Sequence, residues 1–302
     1  MSILPNVQSP LPLNLPQTFL PERRLLAKLL SFAADHGSGD KTAISAATGI
    51  PTGKSTGKVE PMIRYVQGMG LVNAEKAASQ WRLSLTPLGQ TVRREDPFLS
   101  EPVTIWLLHL MLCRRCGRSM PARGIADAWF ALFAEGGFRL GQRFTPAAWL
   151  DFLIDRHGEK TYLPSVSSVV LRSYLEASSL ACAPAAPSPL TVEEESSKRF
   201  RDQRIIRQNA PVEKRFFPAY AAAFYLNWDE LFTGETQLAL DEFANQSRFF
   251  TVLGWDDAVT ARWLDWMVDQ GMLQTDRHTG TPMLLRLRET AFVVNGIYGE
   301  LA

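Results

Sequence analysis

Cysteine and histidine are scarce in this chain, with three and four copies among 302 residues. A small, odd number of cysteines argues against a disulfide framework and is typical of proteins from a reducing cytosol. One candidate metal site remains, because a single helix would present His109, Cys113 and Cys116 together. Zinc needs four protein ligands, or three and a water. We therefore expect these side chains to be buried in the core rather than bound to zinc.

Long apolar runs are also missing. The most apolar stretch, Val103–Cys113, is too short to cross a bilayer and is interrupted by His109. The first residues, Met1–Pro5, lack the basic start and the apolar centre of a signal peptide. We expect a soluble, cytoplasmic protein without a membrane partner.

The chain has none of the motifs that identify common enzyme classes. A nucleophile elbow, a dinucleotide fingerprint, a zincin motif and a pair of Cys-x-x-Cys motifs are all absent. The segment Gly49–Ser55 is one residue too short for a phosphate-binding P-loop, and it follows a predicted helix whereas that loop follows a strand. An ATP site is therefore not expected there.

The net charge is only +1, but the charges are unevenly distributed. Residues 41–94 contain eight basic and two acidic side chains, whereas residues 219–276 contain ten acidic and two basic ones. Nucleic acids are bound mainly through their phosphates, which attract local positive charge. We therefore expect phosphate binding in the first segment, and we expect the second to repel DNA unless a metal ion intervenes.

The basic segment lies in residues 21–95, whose pattern predicts a winged helix-turn-helix domain. A long helix, a short helix closed by Gly49 and a helix starting near Lys58 precede a strand, Trp81–Leu85. In such domains the last of these helices usually enters a DNA groove. Residues 1–20 are rich in proline and are expected to form an extended arm.

Seven side chains of this domain are candidates for contacting DNA. They supply positive charge or hydroxyl groups beside the start of the third helix and on the hairpin, where phosphate oxygens or base edges would bind. The seven are Lys54, Ser55, Thr56, Lys58, Arg64, Lys76 and Arg82. The alternative is a basic turn on a protein-interaction module.

The rest of the chain is predicted to be mainly α-helical, which makes the fold class mainly α. Residues 96–183 are expected to form a central helical domain. Residues 184–210 are expected to form a linker and charged segment, because they begin with a run rich in proline and alanine. Residues 211–302 repeat the order of helix and hairpin, which predicts a second, winged-helix-like domain. Its acidity suggests that it docks protein rather than DNA.

Two Asp-Arg-His triplets are the candidates for catalysis. They contain Asp155 and His157 at a predicted helix end, and Asp276 and His278 at a predicted hairpin tip. Aspartate and histidine can hold a divalent metal or act as acid and base in phosphodiester cleavage. Both triplets precede a glycine closely, so the alternative is that they are turn and cap residues without chemistry.

Four segments resemble a bacterial family associated with DNA phosphorothioation and phage defence, which includes the DNA-nicking B component of the Ssp single-strand phosphorothioation system. The most specific is Asp96–His109, and the others are Thr18–Phe19, Arg23–Lys28 and Leu85–Gly89. The resemblance covers roughly the first third of the chain well and the remainder only in its order of elements. Where the family often has Gly-His-Glu, this chain has Leu15–Gln17, so any catalytic role of that lead-in does not carry over.

The resemblance implies a metal-dependent protein that nicks DNA so that partners can insert sulfur into the backbone. The implied partners are a cysteine desulfurase, an ATPase and a reductase-like enzyme, and the implied metal is Mg²⁺ or Mn²⁺. Our first hypothesis is therefore a component that binds double-stranded DNA and nicks it, either as a monomer or as a homodimer. The alternative is a non-enzymatic winged-helix regulator or adaptor of such a locus.

Overall fold

The residues described by the computed structural model are 10–53, 56–182, 184–193, 199–276 and 282–301. They form a mainly α-helical fold with three small antiparallel sheets of three strands each, which confirms the predicted fold class at this level. One continuous apolar cluster runs from Leu11 to Ile297. The predicted N-terminal arm therefore packs on the body through Leu11 and Leu15. Within these residues, every helix is too short or too polar to traverse a bilayer.

The N-terminal unit contains four helices and three strands. They are α1 (Arg23–Ala34), β1 (Ser38–Gly39), α2 (Lys41–Thr48), α3 (Val59–Gly68), β2 (Val72–Ala77), β3 (Gln80–Leu85) and α4 (Pro87–Glu95). The Asp40 carboxylate accepts hydrogen bonds from two backbone N–H groups at the start of α2, and Gly49 ends that helix in the left-handed conformation. Lys58 is the residue before α3, as predicted.

The first sheet has β3 at its centre, between β1 and β2. Trp81 and Leu83 of β3 are buried, whereas Gln80 and Arg82 are exposed, which confirms the predicted alternation of this strand. Trp81 lies opposite Lys76 of β2 in the register. Strand β3 of the hairpin therefore packs its apolar side chains on one face and exposes its polar side chains on the other.

The central part contains five helices and a short strand. They are α5 (Pro102–Leu112), α6 (Asp127–Phe130), α7 (Gly137–Leu140), β4 (Arg143–Phe144), α8 (Pro146–His157) and α9 (Leu163–Leu175). A π-helical turn, Ala131–Glu135, continues α6. All but the first residue of α5 are buried, so this helix is the centre of the molecule.

The expected linker carries two further strands, β5 (Leu190–Val192) and β6 (Ile205–Arg207). They pair with β4 in the order β4-β6-β5, so strand structure reaches into the region where only helices were predicted. Leu190 and Ile205 are fully buried, and this burial holds the short strands in place. Three-residue strands carry too little periodicity to be recognised beside a run of proline and alanine.

The C-terminal unit follows a 3₁₀ turn at Lys214–Phe216. Its elements are α10 (Phe217–Leu231), β7 (Gln237–Ala239), α11 (Leu240–Ser247), α12 (Phe249–Leu253), α13 (Asp257–Asp269), β8 (Leu273–Asp276), β9 (Met283–Arg286) and α14 (Thr290–Asn295). The third sheet has the order β7-β9-β8, which matches the order β1-β3-β2 of the first. The two ends of the chain therefore repeat one order of elements.

Contacts through the middle join these two units. Helix α14 packs against α4, where the Thr91 hydroxyl lies 3.2 Å from Oδ1 of Asn295. The fully buried Arg114 donates from Nη1 to the carbonyl oxygen of Gly68 at 2.5 Å and from Nε to Glu230 Oε2 at 2.8 Å. Arg114 thus connects the end of α3 to α10.

Candidate nucleic-acid interface

Helix α3, which the sequence predicts to enter a DNA groove, is buried on most of its sides. Seven of its ten residues are buried, and the other three are Glu60, Arg64 and Gln67. Each of the three contacts the hairpin β2–β3. The outward face of α3 is therefore partly covered by the hairpin, and the entry of this helix into a DNA groove stays a prediction. The element that gathers cationic side chains is the hairpin β2–β3.

A tryptophan organises the cationic side chains on this hairpin. The Arg64 guanidinium lies 4.8 Å from the ring centroid of Trp81, and the Lys76 ammonium lies 5.0 Å from it. Trp81 is 1% exposed, so its indole is a rigid support. Lys76 also donates to Glu60 Oε1 at 2.5 Å, and this hydrogen bond lowers the pKa of Glu60. Both cations are thus placed beside Trp81, and Lys76, like Lys58, is also paired with a carboxylate.

Arg82 adds a third positive charge to the hairpin. Its side chain is exposed, and it follows Trp81 on the outer face of β3. In the register it lies opposite Glu75 of β2 and Ser38 of β1. Arg64 of α3 and Lys76 of β2 therefore meet at Trp81, whereas Arg82 lies on the other face of β3, so the three charges surround the hairpin rather than share one face.

The loop before α3 contains the other predicted DNA contacts. Lys54 and Ser55 lie outside the described residues. Thr56 is exposed. Lys58 donates to Glu22 Oε1 at 2.5 Å, and its ammonium lies 5.9 Å from the Phe19 ring. The charge of Lys58 therefore holds the start of α1, which leaves it less available to a phosphate than its sequence position suggested.

The first Asp-Arg-His triplet lies at the end of α8, but its two candidate residues face different partners. Asp155 forms an ion pair with Arg139. His157 is mostly buried, and its Nε2 lies 3.2 Å from Asp127 Oδ2 without the alignment of a hydrogen bond. Burial lowers the pKa of His157, opposed by the nearby Asp127 carboxylate. Acid and base are therefore not aimed at a common point.

Asp127 is the centre of a buried charged cluster that the sequence did not indicate. Its carboxylate accepts from the backbone N–H of Gly124 at 2.7 Å and from Nε and Nη2 of Arg156, each at 3.1 Å. Arg156 also donates to the Ala122 carbonyl oxygen at 2.7 Å. Both carboxylate oxygens are thus occupied, so this cluster fastens α8 to the start of α6.

The second triplet is only partly described. Asp276 ends β8, opposite Met283 of β9, and His278 lies outside the described residues. Helix α8 packs against α7 and α9, whereas β8 packs against β9 and α13. In the described parts of the chain, no three histidine, cysteine or acidic side chains are grouped so that they can hold a metal. These described residues do not offer a ready cage for Mg²⁺ or Mn²⁺.

The histidine and cysteines that sequence spacing brought together are core residues, as expected. His109 Nδ1 lies 2.8 Å from the Tyr174 hydroxyl and 3.6 Å from Cys113 Sγ. All three cysteines are buried thiols outside any disulfide. Burial lowers the pKa of His109 to about 3 and raises the pKa of the Cys113 thiol. A neutral imidazole and a protonated thiol suit packing rather than zinc binding.

These features define a mainly α-helical protein with a hairpin-bearing unit at each end and a buried helix at its centre. Two solved structures share this architecture over 95% of this chain and 87% of their own length. Both are crystal structures of SspB, one with magnesium ion bound, with TM-scores of 0.67 and, for the magnesium-bound one, 0.62. These scores and coverages show that the chain has the fold of SspB. The sequence identity is 16% in each case, so the likeness is one of fold alone. No family model and no curated protein matches the sequence.

Proposed function

We propose that this protein is a double-stranded-DNA-binding component of a DNA phosphorothioation or phage-defence system. The observation that carries the proposal is the likeness to SspB over 95% of the chain. The sequence resemblance through Asp96–His109 points to the same family independently. The uneven charge of the chain then assigns DNA to the basic N-terminal unit and a protein partner to the acidic C-terminal unit.

We interpret α1 to β3 as a winged helix in which the wing, β2–β3, makes the main DNA contacts. This interpretation follows from the order of elements and from the partly covered outward face of α3. Arg64 and Lys76 are stacked on Trp81, so they lose little side-chain freedom when they bind a phosphate. Arg82, on the other face of β3, adds a further positive charge to the wing. Thr56, together with Lys54 and Ser55, would contact the adjacent phosphates.

The first test is the affinity of the full chain for duplex DNA. We expect the double substitution Lys76→Gln and Arg82→Gln to weaken binding for every duplex sequence, because phosphate contacts carry no sequence information. The matched control is Arg262→Gln, which removes an exposed arginine from α13 in the acidic unit. Fluorescence anisotropy with two unrelated duplexes measures both effects. Equal affinity of the double variant and the wild-type protein would contradict the proposed interface.

The proposal extends to nicking of DNA with Mg²⁺ or Mn²⁺, for which the candidates remain Asp155, His157, Asp276 and His278. Mg²⁺ commonly binds to one or two carboxylates together with substrate phosphates, so DNA itself would complete such a site. We expect the pure protein to convert supercoiled plasmid to nicked circles with Mn²⁺, and Asp155→Asn or Asp276→Asn to reduce the rate. Agarose gels with a metal-free control measure this conversion. Absence of nicked circles above that control would exclude nicking by the protein alone.

One observation favours the alternative of a DNA-binding adaptor without its own nicking activity. Asp155 is paired with Arg139, and His157 lies against the Asp127–Arg156 pair. Side chains with such partners serve the packing of α8 well and do not require chemistry. The plasmid experiment separates the two functions, because an adaptor binds duplex DNA and leaves it intact. In either case the proposed partners are the cysteine desulfurase, ATPase and reductase-like enzyme, and their proposed docking surface is the acidic unit.

A further inference from the structure

A groove of about 1360 Å³ lies along α1 and has no residue of the hairpin β2–β3 in its lining. The loop between α4 and α5, Ser178 and the end of α2 also line it. Pockets that enclose a drug-sized ligand measure roughly 300–1000 Å³, so this groove has room for an extended, chain-like ligand. None of the functions proposed above uses it.

The loop at residues 96–100 presents an aromatic ring at the rim of this groove. Phe98 is 76% exposed, whereas the next residue, Leu99, is fully buried with a left-handed φ of 55°. A leucine rarely adopts this backbone conformation, and here its burial maintains it. The carboxylate of Asp96 accepts from the backbone N–H groups of Ser100 and Glu101 at 3.0 and 2.9 Å. Phe98 therefore points outward because the loop is built to hold it there.

Helix α1 contributes positive charge to the lining of the groove. Arg24 is exposed on α1, and Lys28 follows one turn later. The Lys28 ammonium lies beside Gly49, where a Cβ atom would meet it at 3.1 Å. Of the two acidic residues in the lining, Glu22 is already paired with Lys58, which leaves Asp35. The groove thus combines an exposed aromatic ring with two cations and little negative charge.

We infer that this groove binds single-stranded DNA, with a base stacked on Phe98 and phosphates held by Arg24 and Lys28. An aromatic ring beside a positively charged groove is the combination that binds single strands without sequence preference, because every base has a π-face. The inference deepens the proposed function and rests on DNA being the substrate. A protein of this kind would then hold duplex DNA on the wing and an unpaired strand in the groove.

The test compares single-stranded and duplex DNA on the full chain. A labelled oligo(dT) of about 12 nucleotides matches the usual site size of such grooves. We expect Phe98→Ala to weaken its binding roughly tenfold, which is the loss of one stacked base. Phe98→Trp should retain affinity, since indole also stacks. Arg24→Gln with Lys28→Gln should weaken binding and reduce its salt dependence.

The matched control is Phe138→Ala, which removes another exposed phenylalanine that does not line the groove. We expect this control to bind oligo(dT) like the wild-type protein, and Phe98→Ala to bind duplex DNA like the wild-type protein. Wild-type affinity of Phe98→Ala for oligo(dT) would overturn the inference and leave the groove to an apolar peptide. If the protein fails to bind duplex DNA but binds oligo(dT) through Phe98, the wing proposal fails and the groove inference stands.

Discussion

His109 is the most strongly shifted histidine of the described chain, and its surroundings explain why. Its ring makes edge contacts with Trp106, Phe133 and Tyr174, at centroid distances between 4.4 and 5.3 Å. Its Nε2 has no hydrogen-bond partner among the described residues. An apolar site of this kind penalises the charged imidazolium, and burial lowers the pKa of His109 to about 3.

This shift makes stability depend on pH. The unfolded chain takes up a proton at His109 below about pH 6.5, whereas the folded chain does so only near pH 3. The free energy of unfolding should therefore fall as the pH falls from about 6.5 to about 3, by up to about 1.4 kcal/mol per pH unit from this residue. We expect His109→Gln to show a smaller fall between these limits. Urea unfolding at several pH values measures it, and equal pH slopes for both proteins would contradict this account.

At the scale of elements, α4 is fixed tightly beneath the hairpin. The Thr86 side chain caps the helix by accepting from the backbone N–H of Gly89 at 2.9 Å. A Cβ atom on Gly89 would lie 1.9 Å from the carbonyl oxygen of Leu71, which is backbone and cannot move aside cheaply. The close approach of α4 to the residue before β2 therefore requires glycine at this position.

Gly89→Ala should consequently destabilise the protein, even though alanine is the better helix former. We expect a loss of about 1–3 kcal/mol or more in the free energy of unfolding, the usual cost of overpacking. Gln90→Ala, an exposed position on the same helix, is the control and should change stability by less than about 0.5 kcal/mol. Denaturant unfolding of both variants measures the difference. Equal stability of the two would mean that α4 does not approach Leu71 so closely.

The elements that the sequence predicted well are those with strong periodicity and clear end signals. The start of α3 at Lys58, the cap at Gly49 and the alternation of β3 all follow from local patterns. The strands β5 and β6 were missed, because their burial depends on residues far away in the chain. The same reason applies to the contacts of Glu60, Arg64 and Gln67 of α3, since they result from how the hairpin folds back.

The residues of the candidate site also divide into those that local sequence indicated and those that depend on distant partners. The charge pattern alone selected Arg64, Lys76 and Arg82, and these lie together on or against the hairpin. Trp81, the common support of Arg64 and Lys76, could have been suspected only from its position in register opposite Lys76. Asp127 gave no signal, because a lone aspartate acquires its role from Arg156, which is distant in sequence. The roles of Asp155, His157 and Asp276 remain predictions, and His278 lies outside the described residues.

At the scale of the whole molecule, one order of elements occurs twice, with opposite charge. Helices α4 and α14, which follow the two hairpins, pack against each other, and α10 packs on the central α5. Arg114 and Arg115 extend this connection, since Nη1 of Arg115 donates to the Gln246 carbonyl oxygen at 2.8 Å. The units are therefore joined through buried polar contacts as well as apolar packing. Under the proposed function, the basic end would bind DNA and the acidic end a protein partner.

The central claim is that the wing holds DNA through its phosphates, and the salt dependence of duplex binding tests it most directly. Each phosphate contact contributes about 0.9 to the slope of log affinity against log salt concentration. Measured between about 50 and about 200 mM salt, the Lys76→Gln, Arg82→Gln protein should show a shallower slope than the wild-type protein, by up to about 1.8 for two lost contacts. The Arg262→Gln control should keep the wild-type slope. An unchanged slope in the double variant would contradict the account.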